Sequence, residues 1–548
     1  MLLLLIVAFA GFATAQTPSH AALTGKVTSQ AEGAMEGVLV GAKKAGSTIT
    51  TWVVSNAQGQ FSFPRDRMTP GKYAISIRAV GYELPKTSAD VTADAAQLDL
   101  QLNKVTRATK IVAQMSNGEI LMSVTGTREQ KQQLAGCVNC HTLQRVLFTR
   151  FDEDEMAQVV QRMGMHTNNS SPLHPWMRPQ EYPLKPPTTG QVTFAKYLSS
   201  INLSTRDTFE FPLKTMPRPK GKATQVIYTV YDLPRPDASP HDEAFDAEGN
   251  VWYSDFNSQY LGKLDPKTGK VVDYRVPQNR GFQIAQGGLQ IDLDRQGRVY
   301  YGNMSQMQIV RFDPKTEKWE TFKPPVSEKE LGDGHLTMID PAFQDVDGKL
   351  WLNVAFANGE AGGTWHVDLS TNTWTRVTYP PGSPAATAYD VVADSKNNMY
   401  GMTMANDKLW VTDGKTLQTT WYDFPTKGAG CRRGHRDSQD RLWCGVFNGN
   451  RLAMFDPKTK KITEWAAPSE WTRPYDAQFD DKTYGWTAGM DNDIALRLNA
   501  QTGEMTEYLL PHETNVRHVE VQKSGALSSL WLGDQHGNTL IHIEPLEP

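Results

Sequence analysis

A repeat constrains this chain more than anything else in it. From about residue 224 to the end, aromatic residues recur at Trp252, Tyr300, Trp351, Tyr400, Trp443, Trp486 and Trp531, at separations of 48, 51, 49, 43, 43 and 45 residues. Turn sequences precede them, as at 246–250, 294–297 and 345–348, and second turns follow many of them, at 265–269, 313–316, 456–459 and 501–503. Four short strands in a unit of about 45 residues make a β-propeller blade, and seven are expected here. The first six units end in a strand such as 273–277 or 463–465, whereas the last stops at 543–545 without one. The run 226–234, upstream of the first unit, is therefore expected to pair into blade seven and close the ring, hiding two sheet edges at the seam.

Aligning the units on their aromatic residue brings one residue per blade to the channel mouth, at the start of each innermost strand. These are Asp242, Gln290, Asp340, Asp390, Arg433, Asp476 and His518, with His241, Tyr389, Arg432, Tyr475 and Arg517 beside them. The candidate catalytic set is Asp242, Asp340, Asp390, Arg433, Asp476 and His518. Carboxylates with a guanidinium and an imidazole around one axis have the chemistry to polarise a substrate, exchange protons or hold a divalent cation. A polar, water-filled channel without a catalytic role accounts for the same residues, because fold alone does not fix function.

Cys137-Val138-Asn139-Cys140-His141 names its chemistry more directly. Two thiols three residues apart, followed at once by an imidazole, form the attachment pattern of a c-type haem. One helical turn sets Cys137 and Cys140 beside the two vinyl groups of haem c, and His141 turns its ring onto the iron. The chain has only 4 Cys and 12 His, so chance assembles the pattern roughly once in a thousand such sequences. A zinc site would need two more ligands at short spacing, and there is no second CxxC. A redox CxxC pair with a bystander His is the other alternative.

Around the motif, residues 105–203 read as helical. Residues 128–134 lead into it, and the acidic run 152–155 opens a helix whose apolar face is Met156, Val159, Val160 and Met163, at i, i+3, i+4 and i+7. Gly164 suits its end, and 194–198 makes a last short helix. A CxxCH motif, a middle helix ending in Arg162-Met163, a polar loop and a closing helix carrying Tyr197-Leu198 together resemble a small single-haem cytochrome c domain. That resemblance implies that Met163 places its thioether on the iron, which raises the potential relative to a second His and suits one-electron relay. Met163 also completes the apolar stripe and suits a core position equally well. Met177 in a proline-bound loop is the alternative ligand, and Met165, His166 and His174 lie in the same loop.

Residues 22–104 alternate short β-branched runs (23–27, 38–40, 52–54, 61–63, 73–77, 98–102) with turns at 56–59 and 70–71, which predicts a small β-sandwich. The order Gly25-x-Val27, Gly59-x-Phe61-x-Phe63, Gly71-Lys72-Tyr73, Gly81-Tyr82 resembles the carboxypeptidase regulatory-like domain. The resemblance implies a module that spaces, stabilises or binds surfaces. The propeller repeat, with its Gly-x-x-Trp blades and Asp-Pro-x-Thr-Gly turns, resembles the virginiamycin B lyase (streptogramin lyase) family. That family opens a cyclic ester by elimination at a magnesium-dependent site, using His and Glu near the channel. Here His518 and His536 are the corresponding imidazoles, but Asp534 stands where the family tends to have Glu, so the catalytic residues do not carry over intact.

The expected architecture is multidomain and mainly β: a signal peptide over 1–15, the sandwich over 22–104, a cytochrome c-like haem domain over 105–203, a linker over 204–223 and the seven-bladed propeller over 224–548. An apolar run at 2–12 followed by Ala13-Thr14-Ala15 reads as a secretory leader, too short to span a bilayer. Export, most simply to a bacterial periplasm, agrees with haem c attachment. Cys431 and Cys444 are then free to pair in an oxidising compartment, provided the fold brings them close. A net charge of −4 and the lack of a basic cluster speak against nucleic acid as a partner. No later stretch is long and apolar enough to span a membrane. A small-molecule substrate or a redox partner protein remains. Three functions follow: an exported electron-transferring oxidoreductase whose propeller binds a substrate, cofactor or partner; a carbon–oxygen lyase; or a non-catalytic scaffold with an electron-relay haem. Elimination needs no electron acceptor and substrate oxidation does, which favours the first.

Overall fold

The structure, a computed structural model, describes residues 21–547 apart from 86, 168, 178–184, 332–337, 347, 356–362, 380–387, 405 and 524. Of 328, 331, 338–346, 355 and 388 only the backbone is described, and the leader over 1–15 lies outside the described residues. The chain is mainly β. Six antiparallel four-stranded sheets make blades one to six; the strands Pro240–Phe245, Val251–Asp255, Tyr260–Asp265 and Lys270–Arg275 form the first, from axis to rim. The repeat aromatics pack between blades. Trp443 stacks on Phe479 of the next blade at 4.7 Å, and Trp252 meets Phe312 of the next at 6.0 Å. The recurring Asp of the preceding turn has a matching task. Asp246 and Asp437 accept the indole N–H of Trp252 and Trp443 at 3.1 and 2.9 Å, so each buried ring keeps its polar atom satisfied.

The ring closes as the strand count requires. Val226–Asp232 pairs antiparallel with Thr539–Pro545, Tyr228 lying opposite Ile543. The seam, however, does not end there. Ile49–Val54 pairs on the other side of Val226–Asp232, with Trp52 opposite Tyr228. Blade seven thus runs on through Leu39–Lys44 and Gly71–Arg78 to Ser88–Val91 as one eight-stranded sheet. The second sheet of the N-terminal sandwich is built on Ala21–Ser29 and Leu100–Lys104, paired in parallel. Leu39, Trp52 and Val54 share a single core with Tyr228, Trp486, Tyr508, Leu530 and Ile541 of the propeller. Arg78 clamps the junction by donating to the carbonyls of Leu510 and His512 at 2.7 Å and to the Asp493 carboxylate. The sandwich is therefore fused to the propeller through a continuous sheet, a union that hydrophobic alternation, being local, does not reveal. The stretch expected as a linker is packed as well: Met216 is buried in the shared core and its amide donates to Glu119 at 2.7 Å.

The helical segment lies between these parts. Helix Arg128–Ala135 leads into a 3₁₀ turn, Gly136–Asn139, that carries the CxxCH motif; Leu143–Leu147, Glu153–Met163 and Thr189–Ser200 follow. Three of these helices open on capping boxes, Thr127/Gln130, Asp152/Glu155 and Thr188/Gln191, in which each side chain satisfies the other residue's backbone N–H. The last box starts the closing helix well before the apolar run at 194–198 that marks it in the sequence. Among the described residues no helix is long and apolar enough to cross a membrane.

Candidate functional site

Two places concentrate chemistry, and they adjoin. The first is the cleft onto which the CxxCH turn opens, about 480 Å³ in volume. Cys137, Cys140 and His141 line one side; Val146, Val159, Val160, Met163 and Phe194 line others. Neither thiol is in a disulfide. Burial pushes the Cys137 thiol up to about 12, and Cys140 is raised for the same reason against the opposing charge of Arg517. Such thiols stay protonated at neutral pH, the opposite of the activated thiolate a redox CxxC pair needs. His141 Nδ1 lies 3.0 Å from the carbonyl of Thr142, so Nδ1 carries the proton and Nε2 keeps its lone pair for a metal.

The helix Glu153–Met163 lays its apolar stripe on this cleft. Met156 is buried, Val159 and Val160 are half-buried, and Met163 is 41% exposed. The core position that the stripe suggests for Met163 is not what forms, because that end of the stripe faces the cleft instead of packed side chains. Met177 is also exposed but does not line the cleft; it bridges to His166, which does. His174 turns away to Asp237 at 2.9 Å.

The second place is the propeller channel. In four blades the innermost strand carries a bulge at the mouth, marked by register shifts across 240/243, 388/391, 431/434 and 474/477. A bulge re-aims successive side chains to one side. This accounts for paired residues at the mouth where simple alternation gives one. His241, Tyr389, Arg432, Tyr475 and Arg517 form an outer collar with Phe256 and Phe447. Arg432 sits 3.4 Å from the Phe447 ring centroid, and the Tyr389 and Tyr475 hydroxyls meet at 2.5 Å. The next tier holds Asp242, Asp390, Arg433, Asp476 and His518, all buried. Arg433 grips Asp242 with two bonds of 2.6 Å, and Gly434 N–H donates to Asp390 at 3.2 Å. Burial alone pushes the Asp242 carboxyl up, but Arg433 and His518 hold it well below the usual range; against the same burial, His435 and His518 hold Asp476 down at about 2. Burial lowers His518 to about 4 despite its acidic neighbours. Gln290 has a buried amide oxygen without a partner. Asp340 lies on the strand Met338–Val346 opposite Asn353, its side chain outside the described residues.

A third tier, Asp292, His435 and Glu520, went unread in the sequence although a signal for it was present. Each lies two residues beyond a mouth residue (Gln290, Arg433, His518), which is the same-face period of a strand. Burial raises Asp292 to about 6 and Glu520 to about 8. His518 and His536, the imidazoles matched to the lyase pattern, have separate acidic neighbours. His518 Nδ1 lies 3.2 Å from Glu243, whereas His536 stands 3.8 Å from Glu513 with both ring nitrogens buried and outside any hydrogen bond among the described residues. Asp534 accepts the backbone amides of Asn515 and His536 at 3.0 and 3.1 Å, the work of a turn residue.

The collar meets the motif directly: Arg517 donates to the carbonyl of Asn139 at 2.6 Å and stands 5.1 Å from the Phe256 ring centroid. Cys431 and Cys444 form a disulfide across blade five, with Cα atoms 5.9 Å apart.

The fold defines a propeller protein with a fused N-terminal sandwich, and the comparisons sharpen both parts. Residues 22–103 match the carboxypeptidase regulatory-like domain, and residues 244–475 match the SMP-30/Gluconolactonase/LRE-like region. The helical segment lies between the two matches and is covered by neither. Among solved structures, a streptogramin B lyase superposes with a TM-score of 0.50 at 16% identity, over 59% of this chain and 99% of the lyase. Virginiamycin B lyase from Staphylococcus aureus gives 0.44 at 13% identity, over 58% and 99%. At such identity the likeness establishes the propeller fold alone. No curated protein matches the chain.

Proposed function

We propose that this chain is an exported c-type haem protein that exchanges electrons, with the propeller mouth as the place where a substrate or partner docks. One observation carries the reading: two neutral thiols outside any disulfide and an imidazole share a mainly apolar cleft with a helix stripe whose end, Met163, stands exposed there among the described residues. A concave site lined this way suits an apolar occupant. Haem, when bound, supplies one-electron exchange. The residues divide the remaining tasks. Cys137 and Cys140 tether through their sulfurs, His141 offers Nε2, and the Thr142 carbonyl fixes its tautomer. Val159, Val160 and Phe194 exclude water, and Met163 is the sixth ligand in preference to Met177 because it alone of the two lines the cleft. The disulfide Cys431–Cys444 supports an oxidising compartment, in keeping with the leader. The lyase function receives less support, since Asp534 is engaged in a turn and His518 Nδ1 is engaged by Glu243.

Expression in a bacterial periplasm with haem-maturation machinery tests this. The wild-type protein is expected to carry one haem per chain that survives denaturing electrophoresis, and Cys137→Ser/Cys140→Ser is expected to carry none. Met163→Ala should lower the haem potential markedly and Met177→Ala should not. A colourless wild-type protein refutes the proposal.

A further inference from the structure

We propose that the propeller channel holds one divalent transition-metal ion of the zinc class between His435, His518 and Glu520. The ligand-capable atoms of these three residues lie within 4.8 Å of one another. They come from two blades: His435 from the innermost strand Cys431–Arg436 of blade five, and His518 and Glu520 from the approach to and start of Glu520–Gln522 in blade seven. A tetrahedral ion with bonds of about 2.0–2.2 Å draws its ligands to roughly 3.4 Å from one another.

Three features beyond proximity favour a cation. Each imidazole is already held by a polar neighbour: His435 Nε2 lies 3.0 Å from Asp476, and His518 Nδ1 lies 3.3 Å from the Glu243 amide and 3.2 Å from its carboxylate. The Asp476–His435 pair is of the kind that holds a metal-binding imidazole in the right tautomer. Among the described residues Nδ1 of His435 makes no hydrogen bond, and the nearest carboxylate oxygens to His518 Nε2 stand at 3.8 and 4.0 Å, so one nitrogen of each ring remains for a metal. The charge is also unbalanced. Asp242, Glu243, Asp292, Asp476 and Glu520 crowd this part of the channel, and the permanent cations acting on them are Arg433, already gripping Asp242, and Lys523 near Glu520. A dication offsets part of this excess of carboxylates.

The donor set selects the metal. Two imidazoles and one carboxylate suit Zn²⁺, Co²⁺ or Ni²⁺, whereas Mg²⁺ and Ca²⁺ take oxygen donors. Three protein ligands leave a fourth position open, the arrangement of a site that binds water or substrate.

The test is zinc binding to the full-length, haem-loaded protein after removal of adventitious metal by chelation, followed by equilibrium dialysis and elemental analysis. Its readout is zinc, so it stands or falls separately from the haem assignment. One equivalent is expected in the wild type, undisturbed by millimolar Mg²⁺. His435→Ala and Glu520→Gln should weaken binding by about 100-fold or more, and Asp476→Asn by about 10–100-fold through loss of the orienting carboxylate. His174→Ala, outside the channel, should bind as the wild type does. Should a channel variant fail to fold, zinc-dependent slowing of amide exchange at 433–436 and 518–522 in the wild-type protein gives the same answer. No stoichiometric zinc, no such slowing, or wild-type affinity in folded His435→Ala overturns the proposal.

Discussion

The helical cleft and the propeller channel bury functional groups in opposite ways. In the cleft, Phe151 and Met163 stand exposed beside two thiols and an imidazole, while Val146, Met156, Val159, Val160 and Phe194 of the same lining are buried or half-buried. In the channel, buried charges are cross-bonded through Arg433, Asp242, Asp476, His435 and His518. The first leaves part of its apolar lining open to solvent. The second is held by its own pairings, so removing one partner is costly. The physics of burial sets the contrast: apolar surface loses only the gain of being covered, whereas an orphaned charge pays desolvation outright.

The hardest test of the contrast is Arg433→Met. It leaves the fully buried Asp242 carboxylate to the His241 imidazole alone among its hydrogen-bonding side chains, and the expected cost is about 3–5 kcal/mol of stability, read from the denaturant midpoint. Pairing it with Asp242→Leu should recover most of the loss, because an apolar pair of similar volume needs no compensation. A folded Arg433→Met of wild-type stability would mean that the channel charges are solvated and the contrast is false.

A smaller effect is expected where the two regions touch. Arg517 bonds the Asn139 carbonyl of the CxxCH turn at 2.6 Å and Asn515 at 2.9 Å. Arg517→Met should cost about 1.5–3 kcal/mol, the value of a charge-assisted hydrogen bond, and should act locally. Amide exchange at 137–141 is expected to accelerate while the blade strands stay protected. Uniform acceleration across the blades would show that the motif and the propeller open as one unit.

The legibility of the molecule follows the range of the forces involved. The blades were readable because their aromatics and Asp turns recur and act within one unit or between neighbours; Asp246 and Trp252 are six residues apart. Closure by 226–234 was readable because strand counting is a sum over the whole repeat. The fusion of the sandwich to blade seven was not, since Trp52 and Tyr228 meet across a sequence gap that no period signals. In the channel, the tier at Asp242, Arg433, Asp476 and His518 was reached by alignment. The collar neighbours follow from the same alignment, but the bulges that turn them inward leave no mark in the repeat. The third tier, with His435 and Glu520, needed one further step of strand alternation. In the cleft, the motif was plain, while the exposure of Met163 depends on what lies opposite its helix, which local pattern does not encode.

The smallest expected effect concerns pH, and it separates the channel from its boundary with the helical segment. At that boundary Asn117 donates to Glu513 at 2.8 Å. Burial, reinforced by Asp493, pushes the Glu513 carboxyl up from about 4.5 to about 8. The folded state therefore binds a proton that the unfolded chain has released. The associated stability is fully present below about pH 4.5 and is lost as pH rises through about 8. Asp476, held at about 2, behaves oppositely: its contribution is present above about 3.8 and is lost as pH falls towards 2. Between pH 5 and 8 the boundary should thus weaken through Glu513, while in the channel Asp476 contributes no change and the raised Asp292 and Glu520 add a decline of the same sign. Glu513→Gln keeps an acceptor for Asn117 and removes the titration. Its melting temperature is expected to vary less than that of the wild type across this window and to equal or exceed it at pH 8. A wild-type decline that persists unchanged in Glu513→Gln would assign the alkaline sensitivity to other buried carboxyls, such as Glu520 and Asp292 in the channel, and reverse the division drawn between the two regions.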